Sequence, residues 1–468
     1  MNLEQINRVY FLGIGGIGMS ALARWFNSSG LPVSGYDRTE TPLTDALNRE
    51  GIKIHFDDNI DLIDQEVIES PDDSLVIFTP AIPKDHKELN YLQSKGIKLY
   101  KRSEVLGMIT ANHFTVAVAG THGKTSTSSM IAHILKASGV NCGAFVGGIM
   151  VNYNSNLILP DKKDDCIVVV EADEFDRSFL RLSPNLAVVT AADPDHLDIY
   201  GDADHLKQSF RDFIEKISKD GALFIKEKVG NEVDVESLNV GEINNYGISS
   251  NGAKARNIVA VDGAFSFDYV SPNTKIEGLK LHFPGRHNVE NALAAISVAL
   301  KLKVTPDSIK SAISSYRGVK RRFEFIFKNE QITYIDDYAH HPEEIKSFLG
   351  GVRELFPNKK ITAVFQPHLY TRTRDFADGF AESLQMADEV ILIPIYPARE
   401  LPIDGVNSEM ILSKMELGNK KLVEQEDLVE ALEKLELEIV ATIGAGNIDQ
   451  LVNPIHKMLK EKYEVVKS

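Results

Sequence analysis

Two glycine-rich turns constrain the fold of this 468-residue chain more than any other feature, because each follows a short apolar run and precedes a helical stretch. The second turn follows the run Phe114–Ala119 and reads Gly120-Thr121-His122-Gly123-Lys124-Thr125-Ser126. A helical pattern then covers Lys124–Ala137 and ends before Gly139. Strand, tight turn and helix in this order are typical of a parallel sheet in an α/β fold.

This second turn has the chemistry of a phosphate-binding loop, although Val118 stands where the usual pattern has its first glycine. Backbone N–H groups at the start of a helix, together with the helix dipole, attract phosphate oxygens. Lys124 would neutralise the charge of the β- and γ-phosphates of ATP, and Thr125 would hold Mg²⁺. We therefore predict a triphosphate site here, the alternative being a turn that carries a solvated lysine.

The first turn fits the G-x-G-x-x-G pattern and reads Gly13-Ile14-Gly15-Gly16-Ile17-Gly18. Its glycines allow a tight turn and a close approach of the backbone to a pyrophosphate. Asp37, at the end of the next strand, could bind a ribose hydroxyl. The pattern predicts a dinucleotide or a nucleotide-diphosphate ligand but does not separate NAD from other diphosphates, and a turn that only packs helix on strand is the alternative.

Acidic residues follow two further apolar runs, Cys166–Val170 and Leu186–Thr190. The two acidic segments are Glu171-Ala172-Asp173-Glu174 and Asp193-Pro194-Asp195-His196-Leu197-Asp198. If both strands are parallel to the strand of the phosphate loop, all three carboxyl ends meet at one edge of the sheet. Carboxylates beside bound ATP would repel its phosphates unless a cation intervened, so the pattern predicts Mg²⁺. Solvated helix caps are the alternative for each acid taken singly.

Two asparagines, Asn288 and Asn291, stand three residues apart at the start of a helical stretch and share one face. Their amide side chains could pair with the edge of a base. Helix capping is the alternative interpretation for asparagines at such positions.

The last third of the chain has two polar clusters, each directly after an apolar strand pattern. They are Asp336-Asp337-Tyr338-Ala339-His340-His341-Pro342 and Gln366-Pro367-His368-Leu369-Tyr370-Thr371-Arg372-Thr373-Arg374. Two arginines in one loop suit a carboxylate or a phosphate. Surface ion pairing is the alternative, above all for Arg374.

Composition excludes several classes of protein. The 51 Lys and Arg residues against 67 Asp and Glu residues give a net charge of −16, which argues against general binding of nucleic acid or of an anionic membrane. The apolar runs are too short to cross a bilayer, and the start of the chain lacks the pattern of a signal peptide. Cys142 and Cys166 have neither metal nor redox spacing. We therefore expect a cytoplasmic enzyme that is a monomer or a weak homodimer.

Taken together, the motifs resemble those of the Mur ligase family of peptidoglycan synthesis. The stretches that carry the resemblance, in the order of the family, are GIGGIGMS, AGTHGKTSTSS, EADEFDRSFL, DPDHLDIYG, GRHNVENALAA, RRFE, DDYAHHP and FQPHLYTRTRDF. The resemblance covers nearly the whole chain. It implies an α/β protein of three domains: an N-terminal Rossmann-like domain over residues 1–112, a central P-loop ATPase-type domain over 113–320 and a C-terminal Rossmann-like domain over 321–468.

Carried over position by position, the resemblance implies three sets of ligands. Those for the UDP-sugar would be Gly15, Gly16, Ile17 and Gly18, with Asp37 beside them. Those for ATP would be Gly120, Thr121, His122, Gly123, Lys124, Thr125 and Ser126, with Asn288 and Asn291 at the adenine. Those for Mg²⁺ would be Thr125, Glu171 and His196.

The amino-acid acceptor site would contain His340, His368 and Arg372, and the catalytic set would be Lys124, Glu171, His196, His340 and Arg372. Two departures from the family pattern stand out. Many members have arginine where this chain has Leu369, and the region of Asp57 and Asp58 lacks a Gly-His pair expected near the uracil.

The reaction implied by the resemblance joins L-alanine to the lactyl carboxylate of UDP-N-acetylmuramate through an acyl phosphate made from ATP. This reaction belongs to cell-wall biogenesis and thereby to cell shape and division. A sister ligase that attaches a preformed tripeptide to the same UDP-sugar shares most of the motifs. An NAD-dependent dehydrogenase would explain the first turn but would leave the phosphate loop and the acidic strand ends without a use, and a non-catalytic nucleotide-binding regulator would need no acceptor residues.

Overall fold

The computed structural model describes residues 3–192, 203–261, 264–283, 285–398 and 400–464. The chain divides into two compact units. The first comprises Met1–Arg256, Asp268–Glu277 and Glu290–Tyr316, and the second comprises Asn257–Phe267, Gly278–Val289 and Arg317–Ser468. The domain boundaries expected after residues 112 and 320 stay predictions. In the described part of the chain, no helix is long and apolar enough to span a membrane.

The first sheet contains five parallel strands. They are β1 (Arg8–Leu12), β2 (Val33–Tyr36), β3 (Lys53–His55), β4 (Ser74–Phe78) and β5 (Leu99–Lys101). The helices of this region are α1 (Ile17–Asn27), α2 (Pro42–Arg49), α3 (Gln65–Glu69), α4 (Lys87–Ser94) and α5 (Arg102–Ala111). The strand order β3-β2-β1-β4-β5 is that of a Rossmann fold without its sixth strand, so β1 and its glycine turn lie at the point where the order reverses.

The second sheet contains seven strands. They are β6 (Phe114–Ala119), β7 (Cys142–Met150), β8 (Ser155–Ile158), β9 (Ile167–Glu171), β10 (Leu186–Val189), β11 (Ala222–Lys226) and β12 (Ile243–Tyr246). The described residues of the same stretch contain the helices α6 (Lys124–Ala137), α7 (Ala203–Ile214) and α8 (Glu227–Glu232). The order is β12-β11-β10-β6-β9-β7-β8. Both neighbours of β6, which are β9 and β10, run parallel to it, so the predicted meeting of the three carboxyl ends is confirmed.

A three-stranded sheet and two helices follow. The strands are β13 (Lys254–Val261), β14 (Ala264–Val270) and β15 (Lys275–Leu281), and the helices are α9 (Arg286–Lys301) and α10 (Pro306–Ser315). Thr305 caps α10, because its hydroxyl accepts the N–H of Ser308 and Pro306 occupies the first helical position.

The last sheet contains six strands. They are β16 (Glu324–Lys328), β17 (Thr333–Asp337), β18 (Ile361–Phe365), β19 (Glu389–Leu392), β20 (Lys420–Leu422) and β21 (Ile439–Ile443). The helices are α11 (Pro342–Leu355), α12 (Tyr370–Leu384), α13 (Ser408–Ser413), α14 (Leu428–Glu433) and α15 (Val452–Tyr463). The order is β16-β17-β21-β18-β19-β20, and only β16 is antiparallel to its neighbour among these strands. The ends of β17 and β18 therefore flank the end of β21 at one edge.

Several inner strands of the parallel sheets are buried along their whole length. Every residue of β10, β18 and β21 is buried, as expected for strands covered on both faces. In the first unit, one apolar cluster contains residues from the five-stranded sheet and from the seven-stranded sheet. In this cluster the ring of Trp25 on α1 lies 5.1 Å from that of Phe145 on β7.

A buried polar group lies within the first sheet. The hydroxyl of Tyr10 on β1 is 2.6 Å from Glu88 Oε2 and 2.9 Å from His55 Nε2, and the N–H of Asn59 donates to Glu88 Oε1. The side chains of Tyr10 and Glu88 are fully buried. Burial raises the pKa of Glu88 to about 7 and lowers the pKa of His55. The carboxyl group of Glu88 therefore holds a proton far above the pH at which an exposed glutamate releases it.

This raised pKa makes the stability of the protein depend on pH through Glu88. The folded chain keeps the proton of Glu88 up to about pH 7, whereas the unfolded chain releases it near pH 4.5. The contribution of Glu88 to the free energy of unfolding is therefore fully present below about pH 4.5 and is lost as the pH rises through about 7. In Glu88→Gln the amide is neutral throughout. Wild-type stability, measured by urea unfolding at about pH 5 and about pH 8, should fall with pH relative to this variant. The exposed Glu40→Gln serves as control, and equal pH dependence in wild type and Glu88→Gln would contradict the prediction.

Candidate active site

The first glycine turn joins β1 to α1 and is held in shape by its own neighbours. Gly13 has φ 86°, a value that favours glycine. The N–H of Gly15 donates to Asp37 Oδ2 at 2.6 Å, and a Cβ at Gly15 would lie 2.8 Å from that oxygen. A Cβ at Gly18 would lie 2.8 Å from the guanidinium of Arg102. Asp37 therefore shapes the turn, and its contact with a ribose stays a prediction.

The second glycine turn joins β6 to α6 and leaves no room for larger residues. Gly120 has φ 138° and Gly123 has φ 79°. A Cβ at Gly120 would collide with the hydroxyl of Thr190, and one at Gly123 would lie 2.8 Å from Asn291 Oδ1. Within the described residues the buried hydroxyl of Thr121 has no hydrogen-bond partner. A tight backbone cradle with an unused hydroxyl fits a polyphosphate ligand.

Lys124 is held beside this turn by a buried carboxylate. Its ammonium group lies 2.7 Å from the carbonyl oxygen of Gly120 and 2.9 Å from Glu174 Oε1. The side chain of Glu174 is 1% exposed. Burial raises the pKa of Glu174, and the charge of Lys124 opposes that rise. The sequence placed Glu174 at an acidic strand end but did not indicate that it pairs with Lys124.

The predicted metal ligands Thr125 and Glu171 lie together. The Thr125 hydroxyl donates to Glu171 Oε1 at 3.1 Å, and Glu171 Oε2 accepts the N–H of Gly147 at 2.8 Å. A hydroxyl and a carboxylate are oxygen donors that suit Mg²⁺, so the donor set fits the ion. His196, the third predicted ligand, lies outside the described residues, within which no group of three His, Cys, Asp or Glu side chains is arranged for a metal.

The predicted adenine ligands lie on the first turns of α9. Asn288 and Asn291 are both buried, with exposures of 2% and 7%. Asn291 lies against Gly123 of the phosphate loop, as the blocked Cβ position shows. Sequence spacing placed the two residues on one face, but only the structure shows that Asn291 contacts the loop.

The predicted acceptor residues gather at the carboxyl ends of β17 and β18. The rings of His340 and His368 lie 6.2 Å apart, and the ring of His368 stacks on that of Tyr396. Partial burial lowers the pKa of His340; Glu344 opposes this shift and the charge of Arg372 adds to it. In the described parts of the chain Arg372 makes no ion pair, whereas Arg374 pairs with Asp375 at the surface. Arg372 is therefore available for an anionic ligand. Arg374 makes a surface ion pair, which is the alternative that the sequence analysis gave for it.

A second arginine supports the acceptor residues and was not singled out by its chemistry in the sequence. Arg321 Nε donates to the buried Asp336 at 3.1 Å, and its guanidinium carbon lies 5.2 Å from the ring centre of Tyr338. A second guanidinium nitrogen donates to the carbonyl oxygen of Gly444, 2.5 Å away. Arg321 thus ties the ends of β17 and β21 together beside His340.

Three family models match successive parts of the chain. Residues 8–114 match the Mur ligase family catalytic domain, residues 118–299 the Mur ligase middle domain, and residues 321–446 the Mur ligase glutamate ligase domain. The UDP-N-acetylmuramate–L-alanine ligase of Flavobacterium psychrophilum is 50% identical to this chain over 462 residues, which cover 99% of this chain and 100% of the relative.

Two solved structures resemble the chain over nearly its full length. UDP-N-acetylmuramate–alanine ligase from Thermotoga maritima has 30% identity and a TM-score of 0.81, with 97% of this chain and 99% of that chain covered. A murein peptide ligase from Psychrobacter arcticus has 22% identity and a TM-score of 0.68, with 98% and 100% covered, which is a likeness in fold. The expected three-domain α/β architecture is thereby confirmed, and this chain belongs to the Mur ligase family.

Proposed function

We propose that this chain is an ATP-dependent ligase that joins L-alanine to the lactyl carboxylate of UDP-N-acetylmuramate in peptidoglycan precursor synthesis. The observation that carries the proposal is the 50% identity, over 99% of the chain, to a ligase of that name. ATP and nucleotide sugars are metabolites of the cytoplasm, where we place the reaction. We keep the prediction of a monomer or a weak homodimer.

Lys124, Thr125 and Glu171 are the residues that we assign to the nucleotide. ATP, when bound with Mg²⁺, supplies the phosphoryl group that converts the lactyl carboxylate into an acyl phosphate. Lys124 would offset the negative charge that spreads over the phosphoryl oxygens, and Thr125 with Glu171 would hold the ion. The contact of the Thr125 hydroxyl with Glu171 supports this assignment, because both donors already converge on one place.

Arg372 and His340 are the residues that we assign to the amino acid. Arg372 would grip the carboxylate of L-alanine with its planar fork of donors. The amine of L-alanine must lose a proton before it attacks the acyl phosphate. The lowered pKa of His340 keeps its ring neutral near pH 7, so His340 is a candidate for the group that accepts this proton.

The rival functions receive less support. Attachment of a preformed tripeptide is the activity named for one solved structure, the UDP-N-acetylmuramate:L-alanyl-γ-D-glutamyl-meso-diaminopimelate ligase from Neisseria meningitides, which shares the fold at 24% identity. A dehydrogenase or a regulator would not need the pairing of Lys124 with Glu174 or the acceptor residues.

Incubation with ATP, Mg²⁺ and UDP-N-acetylmuramate, together with either a single amino acid or the tripeptide, distinguishes these functions. Phosphate release with L-alanine supports the proposal, and release with the tripeptide alone would contradict it.

Lys124→Ala should abolish ligation but leave the binding of UDP-N-acetylmuramate intact, since the sugar nucleotide is assigned to the first glycine turn. We expect a loss of activity on the order of 100-fold or more. Calorimetry should find the affinity for the sugar nucleotide within about twofold of wild type. Lys136→Ala, in the last turn of the same helix, is the matched control, because Lys136 makes an exposed ion pair with Asp161. A large loss of sugar-nucleotide affinity in folded Lys124→Ala would refute independent sites.

Arg372→Ala should raise the KM for L-alanine by about 10- to 150-fold, the worth of a charge-assisted hydrogen bond. The KM values for ATP and UDP-N-acetylmuramate should barely change. Arg374→Ala is the matched control, because Arg374 already pairs with Asp375. Steady-state kinetics with each substrate varied in turn, beside a melting curve, provides the measurement. An unchanged KM for L-alanine in the folded variant would show that Arg372 does not hold the acceptor.

A further inference from the structure

The acceptor loop contains a strained backbone position between His368 and Arg372. Leu369 has φ 71° and ψ 135°, a region that non-glycine residues rarely occupy. Leu369 is also the N-cap of α12, and its side chain accepts no hydrogen bond from the first turn. A loop in this conformation persists only where other contacts hold it in place.

Those contacts come from the segment that contains Tyr396 and Glu400. The N–H of Leu369 donates to the carbonyl oxygen of Tyr396 at 3.0 Å, and the N–H of Tyr396 donates to that of Pro367 at 2.9 Å. Glu400 binds Thr371 twice: Oε2 accepts its N–H at 3.0 Å, and Oε1 accepts its hydroxyl at 2.5 Å. Glu400 thus supplies, from 29 residues along the chain, the cap that Leu369 lacks.

The same contacts fix the side chains on either side of Leu369. The ring of His368 stacks on that of Tyr396 with centroids 5.7 Å apart and an interplanar angle of 24°. Arg372 directly follows Thr371, the residue that Glu400 holds. Both oxygens of Glu400 bind Thr371, and a carboxylate would repel that of an amino acid, so Glu400 acts on the loop and not as a ligand.

We infer that Glu400 is a positioning residue, which orients Arg372 toward the carboxylate of the acceptor by holding Thr371. The inference rests on the acceptor site of the proposed function. The mechanism follows from the two hydrogen bonds between Glu400 and Thr371. Without Glu400 the strained turn at Leu369 would relax, and the side chain of Arg372 would no longer be held in one orientation.

Glu400→Ala should raise the KM for L-alanine about tenfold, while the KM values for ATP and UDP-N-acetylmuramate stay within about twofold. Glu400→Gln keeps an acceptor oxygen of the same reach and should restore most of the loss. The control is Glu409→Ala, which removes an exposed glutamate from α13 of the same unit. Melting curves confirm that each variant is folded.

A double-mutant cycle separates action through Thr371 from other effects. Thr371→Val removes the hydroxyl that donates to Glu400, so Glu400→Ala should cost less in this background than in wild type. Equal costs in both backgrounds, or equal rises in all three KM values, would overturn the positioning role.

The parallel Arg372→Ala measurement keeps the two proposals distinguishable. If Arg372→Ala raises the KM for L-alanine and Glu400→Ala does not, the positioning role of Glu400 is wrong and the proposed function stands. If neither variant changes that KM, the acceptor site itself is wrong and the role of Glu400 falls with it.

Discussion

Parallel strands bring all of their carboxyl ends to one edge of a sheet, and most of the described candidate residues of this protein depend on that constraint. The two glycine turns follow β1 and β6, the acidic residues Glu171 and Glu174 lie at or after the end of β9, and His340 follows β17. In a parallel sheet the next strand begins at the opposite edge, so the chain must return through a helix or loop each time. Residues far apart in sequence therefore meet without any long excursion of the backbone.

Charge is compensated locally at each of these edges. Lys124 pairs with Glu174 and with loop carbonyl groups, and Arg321 pairs with Asp336 and with Gly444. A buried ion that lost its partner would be costly, so these pairs keep the loops rigid in the absence of substrate. Arg372 differs, because it has no ion-pair partner among the described residues. This contrast separates residues that hold the framework from the one assigned to an incoming carboxylate.

Some residues in the loops at the candidate sites have positive φ values. Leu369 and Arg321 both adopt positive φ values. The N–H of Leu369 donates to Tyr396, and the guanidinium group of Arg321 donates to Asp336 and to Gly444. Gly120 and Gly123 adopt such values without strain, but a side chain at either position would collide with Thr190 or Asn291. Residue choice in these loops thus follows from backbone geometry as much as from ligand chemistry.

The sequence by itself determined the fold class and the positions of the main motifs. Strand β6 and helix α6 have the predicted bounds, because a largely buried parallel strand and a helix that begins at a glycine turn leave strong local patterns. The family resemblance supplied the reaction. Pairings between distant residues were not readable: Glu174 with Lys124, Asn291 with Gly123, and Glu400 with Thr371. Only the tertiary structure decided these, because a carboxylate or an amide carries no local signal of its partner, and strand order alone sets which loops meet.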